Sequence, residues 1–202
     1  MRNNRGFSLI EVVVGVAIIA LLAAVLVPYV GRYLEDARIT RAKSDTNSIA
    51  ATVASFSKDI ALYPVFPDGT KLDKAQETLV ALYTKEGEDP TVGSTGWAAD
   101  AETGTNYDTL ENQLINNTPS GASAKAYPAS GKTYVWKGPY TAEFKPDPWG
   151  NKYLVSVEGL QSGSAKRAFV ISAGPNRQLE TNISQTTGDI TTGGDDIVTK
   201  LK

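Results

Sequence analysis

The chain has 202 residues, carries 20 Lys+Arg against 22 Asp+Glu for a formal charge of −2, and is 41% apolar. That length fits one domain with a helical extension, and the balanced charge offers no basic face of the kind nucleic acid requires. Cysteine and histidine are both absent, which excludes a disulfide framework, thiol chemistry, the usual zinc ligands and a Ser–His pair. Paired carboxylates or Ser–Lys would remain, but no acid pair at motif spacing and no glycine-rich phosphate loop is present, so the chain is expected not to be an enzyme.

The first six residues, Met1-Arg2-Asn3-Asn4-Arg5-Gly6, form a short basic leader. An apolar run follows over residues 7–27, with Glu11 as its only ionisable side chain. A secretory signal places its cleavage site after the apolar region, behind small residues. No clean site of that kind follows here; the natural junction is Gly6|Phe7, ahead of the run, which leaves the apolar segment on the mature chain. Those 21 residues make a helix of about 31 Å, matching a hydrocarbon core of roughly 30 Å. Arg2 and Arg5 put the N-terminus in the cytoplasm by the positive-inside tendency; Arg32, Arg38, Arg41 and Lys43 weaken that bias but lie on a long translocated part, where such charges count for less. An ordinary single-span anchor explains the length. It does not explain Glu11, which sits about 6 Å into the segment by helical rise.

Gly6-Phe7-Ser8-Leu9-Ile10-Glu11 resembles the Gly-Phe-[Ser/Thr]-Leu-[Ile/Leu]-Glu signature of prepilin leaders in the type IV pilin and pseudopilin superfamily. The resemblance implies cleavage between Gly6 and Phe7 by a prepilin peptidase and N-methylation of Phe7. It also gives a domain reading: leader 1–6, transmembrane and assembly helix 7–30, and globular part 31–202 that includes the amphipathic half of the helix. The expected fold is α+β, a long N-terminal helix packed on a small antiparallel sheet with a C-terminal loop.

Pro28 removes one backbone donor and predicts a kink or local opening; in filaments of this superfamily a proline at the matching place accompanies an extended stretch. Beyond it, Ile39, Ala42, Thr46, Ile49, Val53, Phe56 and Ile60 alternate spacings of three and four, an apolar stripe that predicts one long helix over 7–59. Tyr63-Pro64 ends it. Asp73-Lys74-Ala75-Gln76 reads as a capping box opening a short helix to about Tyr83. Residues 85–106 and 116–132 read as loops, and 107–115 as another helical turn or two. Strands are expected at 133–137, 152–157 and 168–172, arranged as an antiparallel meander on the long helix.

Gly138-Pro139-Tyr140 followed by Asp147-Pro148-Trp149-Gly150-Asn151-Lys152-Tyr153 is similar to the Gly-Pro-Tyr…Asp-Pro-Trp-Gly-x-x-Tyr run of type II secretion major pseudopilins. On its own, Asp-Pro-Trp-Gly makes a good turn with a buried indole. Ser172-Ala173-Gly174-Pro175-Asn176 and Gly193-Gly194-Asp195-Asp196-Ile197 resemble that family's closing loop. Residues 86–132 depart from the family, which runs from helix to sheet more directly.

In major pseudopilins the closing loop binds calcium through carboxylates and backbone carbonyls. The resemblance places calcium ligands here at Asn176, Asp195 and Asp196, with Asn176 standing where the family commonly has Asp. A hard cation suits clustered acids and free carbonyl oxygens; the same residues also make a solvated Gly-Asp-Asp turn without metal. Glu180 and Asp189 could substitute, though no EF-hand spacing supports them.

The expected function is that of a major pseudopilin, a structural subunit of a type II secretion pseudopilus polymerised through its apolar helix. The implied partners are further copies of the chain, the prepilin peptidase, a membrane platform with a cytoplasmic ATPase, and minor pseudopilins. The expected location is the inner membrane before assembly, single-pass, with the globular part in the periplasm and the filament periplasmic or extracellular. Alternatives are a major pilin of an extracellular type IV pilus, a tip-located minor pseudopilin, and a membrane-tethered hydrolase or binding protein.

Overall fold

The computed structural model describes residues 7–98, 106–131, 133–186 and 189–201. It divides into two units, Met1–Arg38 and Ile39–Lys202. Helix α1, Leu9–Ile60, is 52 residues long and contributes to both. The helix continues through Pro28, so the expected opening is not seen; the ring removes a single i→i−4 bond while the flanking turns stay helical. At its far end Ala61 takes φ +58°, the left-handed conformation that commonly stops a helix.

In the first unit α1 is exposed, apolar all round as far as Val30 apart from Glu11, with Arg32, Glu35, Asp36 and Arg38 beyond. Every large apolar side chain from Phe7 to Leu34 is half or more exposed, from Phe7 at 88% down to Val14 at 50%. In the second unit the buried helix positions are Ala42, Thr46, Ile49, Val53, Phe56 and Ile60, the stripe that the periodicity predicts.

That stripe closes one side of the main core. Phe56 packs edge-on against Tyr127 and Tyr140, with ring centroids 5.2 and 5.6 Å away. Leu79, Leu82, Leu110, Leu114, Val155 and Val170 complete the centre. The sheet has five strands: β1 Ala81–Tyr83, β3 Tyr107–Thr109, β4 Leu154–Ser156, β5 Phe169–Ser172 and β7 Ile197–Lys200, in the order β3-β1-β4-β5-β7. All neighbouring pairs are antiparallel except β1 with β3, which is parallel. A two-stranded parallel ladder, β2 Thr91–Val92 with β6 Gln178–Leu179, lies apart from it. Strand β5 is buried along its whole length, its Phe169 and Ile171 facing a second core with Trp97, Leu154, Leu179 and Ile183.

Several local expectations fail. The helix over 73–83 reduces to a 3-10 turn at Lys74–Gln76, where the Asp73 side chain caps nothing, and 81–83 becomes β1. Ala81, Leu82 and Tyr83 are buried on both sheet faces, and a short run buried all round has no periodicity to separate strand from helix. Residues 107–115 split into β3 and a short helix α2, Leu110–Leu114, capped by the Thr109 side chain accepting from the Asn112 N–H. No strand forms at the described positions of 133–137; there the Trp136 indole N–H reaches the Gln113 carbonyl at 3.3 Å and Tyr140 packs against its ring. The closing segment, expected as loop, ends in β7, an edge strand held by β5.

Candidate functional site

Two places answer to the sequence motifs. The first is the start of α1. Gly6 lies outside the described residues; Phe7 precedes the helix and Ser8 and Glu11 form its cap. The Ser8 backbone N–H and hydroxyl each reach Glu11 Oε2 at 2.9 Å, and the Glu11 N–H reaches Ser8 Oγ at 3.3 Å. This is a reciprocal capping box, with the carboxylate at the positive end of the helix dipole. The Ser-x-x-Glu spacing was present in the sequence, and it supplies a local reason for Glu11 that its depth in an apolar segment conceals. Among the described residues α1 is the one helix long and apolar enough to cross a membrane. With Glu11 capped, the rest of the stretch 7–27 is an apolar surface without a covering among the described residues.

The second place is the closing loop. Gly174, at φ +66°, lies so close to Asp195 that a side chain there would collide with its backbone. Gly193 passes directly under the Glu180 backbone, again with no room for a β-carbon, and Gly194, at φ +47°, lies against the Glu180 carboxylate. These approaches bring Asn176, Glu180, Asp195 and Asp196 together. The Asn176 N–H donates to Asp195 Oδ2 at 2.9 Å, and the Asn176 side-chain amide donates to Glu180 Oε2 at 2.9 Å. Asp196 Oδ2 accepts the N–H groups of Glu180 and Thr181 at 3.0 and 2.6 Å. Burial pushes the Asp196 carboxyl up from its ordinary range, the hydrogen bonds from Thr181 and Glu180 offset part of that, and the Glu180 carboxylate adds to the rise.

Asn176 is therefore beside the two aspartates, but its side-chain oxygen is turned away to accept the Gln178 N–H at 2.7 Å. The Glu180 carboxylate, a possible substitute ligand by sequence, accepts from the Asn176 side-chain amide instead. Two buried oxygens, Asp195 Oδ1 and Asp196 Oδ1, have no hydrogen-bond partner. Unpartnered carboxylate oxygens of this kind fit a hard cation, which would also draw on backbone carbonyls. Among the described residues no group of three or more Asp, Glu, His or Cys side chains is gathered as a metal centre.

The Asp-Pro-Trp-Gly turn is as its residues predict. Asp147 Oδ1 accepts the N–H groups of Trp149 and Asn151 at 3.0 and 2.8 Å, and Oδ2 accepts the Ser172 hydroxyl at 2.7 Å. Trp149 is buried with Ala42 of α1 and Ile197 of β7, so the turn ties helix, sheet and closing strand together.

Residues 1–27 match the family described as the prokaryotic N-terminal methylation motif. Over 68 residues the chain is 40% identical to the type II secretion system core protein G of Pseudomonas aeruginosa, an alignment covering 34% of this chain and 48% of that protein. The chain thus spans about half the length of the curated relative it matches. No solved structure gives a significant match.

Proposed function

We propose that this chain, type IV pilin-like and of the pseudopilin kind, is the major structural subunit of a type II secretion pseudopilus. One observation carries the reading: a helix whose apolar side chains over residues 7–27 are exposed on every side, broken there by one carboxylate, begins at a matched methylation motif. An apolar surface of that extent is stable in lipid or against other apolar helices and nowhere else. Lipid tails are as apolar as leucine, so leaving the bilayer is uphill unless neighbouring tails replace the lipid. Assembly by tail bundling answers that requirement. The contact is heterologous and does not close, so it gives a filament.

Processing supplies the order of events. Cleavage at Gly6|Phe7 creates a free α-amine on Phe7, which family resemblance says is then methylated. Glu11 needs a positive group once it is packed among apolar helices, and the Phe7 amine of a neighbouring copy is the available one. The prepilin peptidase acts before the subunit can pair; the platform and its ATPase draw it from the membrane; minor pseudopilins complete the filament. The role is structural, without catalysis. At the closing loop, calcium would be held by Asp195 and Asp196, with Asn176 and Glu180 beside them, and would supply positive charge to the carboxylate cluster.

Immunogold electron microscopy of intact cells tests the secretion reading against a surface pilus. Subunit confined to the envelope, with exported proteins retained on its deletion, is expected. Long surface fibres with secretion unaffected would move the chain to the type IV pili.

A further inference from the structure

The stretch that departs from the pseudopilin resemblance runs across both of the globular segments that carry it. At one end, the Glu88 N–H donates to the Gly150 carbonyl and the Lys152 N–H to the Glu88 carbonyl, both at 2.9 Å. Asp89 takes Lys152 Nζ at 3.0 Å, and that ammonium lies 5.3 Å from the Tyr83 ring centroid. The Lys152 side chain is only 8% exposed, so Asp89 supplies the counter-charge a buried ammonium requires. In the middle, β2 lies along β6 and the Thr91 N–H donates to the Arg177 carbonyl at 3.0 Å. At the far end the buried Trp97 indole N–H reaches the Thr181 carbonyl at 2.8 Å, with Phe169 edge-on to its ring at 5.9 Å. The Ile183 N–H then donates back to the Thr95 carbonyl at 3.0 Å.

We infer that residues 88–97 are a strap, pinned on the Asp147–Asn151 turn and on Trp97, that holds residues 177–183 of the closing loop in place by protein contacts alone. A two-residue ladder does not sustain itself in water; the anchors at its two ends are what keep β2 on β6. The strap also occupies the carbonyls of Arg177 and Thr181, oxygens that would otherwise be open to solvent or to an ion. Its partner Thr181 donates one of the two N–H groups that fix Asp196, and Glu180, which donates the other, lies between the strap's contacts at Leu179 and Thr181, so the strap sets the carboxylate end of the loop before any cation arrives. The inference stands apart from the filament reading and from calcium binding.

Hydrogen exchange of the full chain in detergent micelles with excess chelator tests it. The variant Thr91→Pro removes the N–H that meets Arg177, and Trp97→Phe keeps an aromatic ring in the core while removing the N–H that meets Thr181. Wild-type amides of Thr181 and Ile183 are expected to be protected in chelator. Each variant should speed exchange there at least tenfold, with β4 and β5 amides unchanged. Fast exchange of those loop amides in the chelated wild type would overturn the strap. So would unchanged loop protection in Trp97→Phe and Thr91→Pro alike.

Discussion

At the scale of single residues, small side chains and buried carboxylates decide most of what this chain does. On the proposed function Gly6 stands at the processing junction, where a peptidase must approach the backbone closely and a side chain would obstruct it. Gly6→Leu should therefore leave the six-residue leader on a membrane-resident precursor, seen by mass spectrometry of the membrane fraction; normal maturation of that variant would remove the prepilin reading. Asp147 shows how much of a residue's role can be legible beforehand. The Asp-Pro-Trp-Gly pattern states a turn, and the turn forms with the carboxylate taking three hydrogen bonds. Asp108 was not legible. It is buried, accepts from Thr109, Asn112, Gln113 and Ser120, and organises the stretch around α2. Its partners lie on both sides of a turn whose geometry no spacing rule records. Asn176 was half legible: its place beside Asp195 was foreseen, whereas the turning away of its side-chain oxygen depends on Gln178.

Among the elements, the long helix was the most legible because its stripe is sustained. Six of the seven positions from Ile39 to Ile60 are buried, and Ile39 packs partly buried beside them. Among the short elements, β4, β5 and α2 fall inside the expected strands 152–157 and 168–172 and the expected helical turn over 107–115, whereas β1, β2, β3 and β6 were not foreseen, since they owe their existence to partners far along the chain and are too short to show a period. The closing loop is the element whose chemistry is most open to a direct trial. Calcium should raise the melting temperature of the detergent-solubilised chain and chelator should lower it. A ligand that binds only the native state stabilises by about 2.7 kcal/mol at a hundredfold excess over its dissociation constant. Replacing Asp195→Asn and Asp196→Asn together keeps hydrogen-bond acceptors while removing both charges, and should abolish the shift. A calorimetric scan of the unmutated chain with no calcium dependence would leave the Gly-Asp-Asp segment as a solvated turn.

For the molecule as a whole, the division of labour follows from where apolar surface is buried. The unit Ile39–Lys202 hides its own core, whereas the apolar positions of Met1–Arg38 that are described hide nothing within the chain. Such a chain is complete only in company, first of lipid and then, on the proposed function, of other copies. Glu11 distinguishes the two. A carboxylate in a bilayer costs up to a few kcal/mol, less near the interface. Its capping of the first turn offsets part of that cost, so a helix that only anchored would lose little by its replacement. A helix that assembles would lose the partner of the Phe7 amine. The decisive measurement is the filament yield of Glu11→Val by shearing and pelleting, taken beside quantitative membrane fractionation and mass spectrometry of the N-terminus. The account predicts normal insertion, normal cleavage and a filament yield reduced at least tenfold; a wild-type yield would contradict it and reduce the chain to a tethered domain.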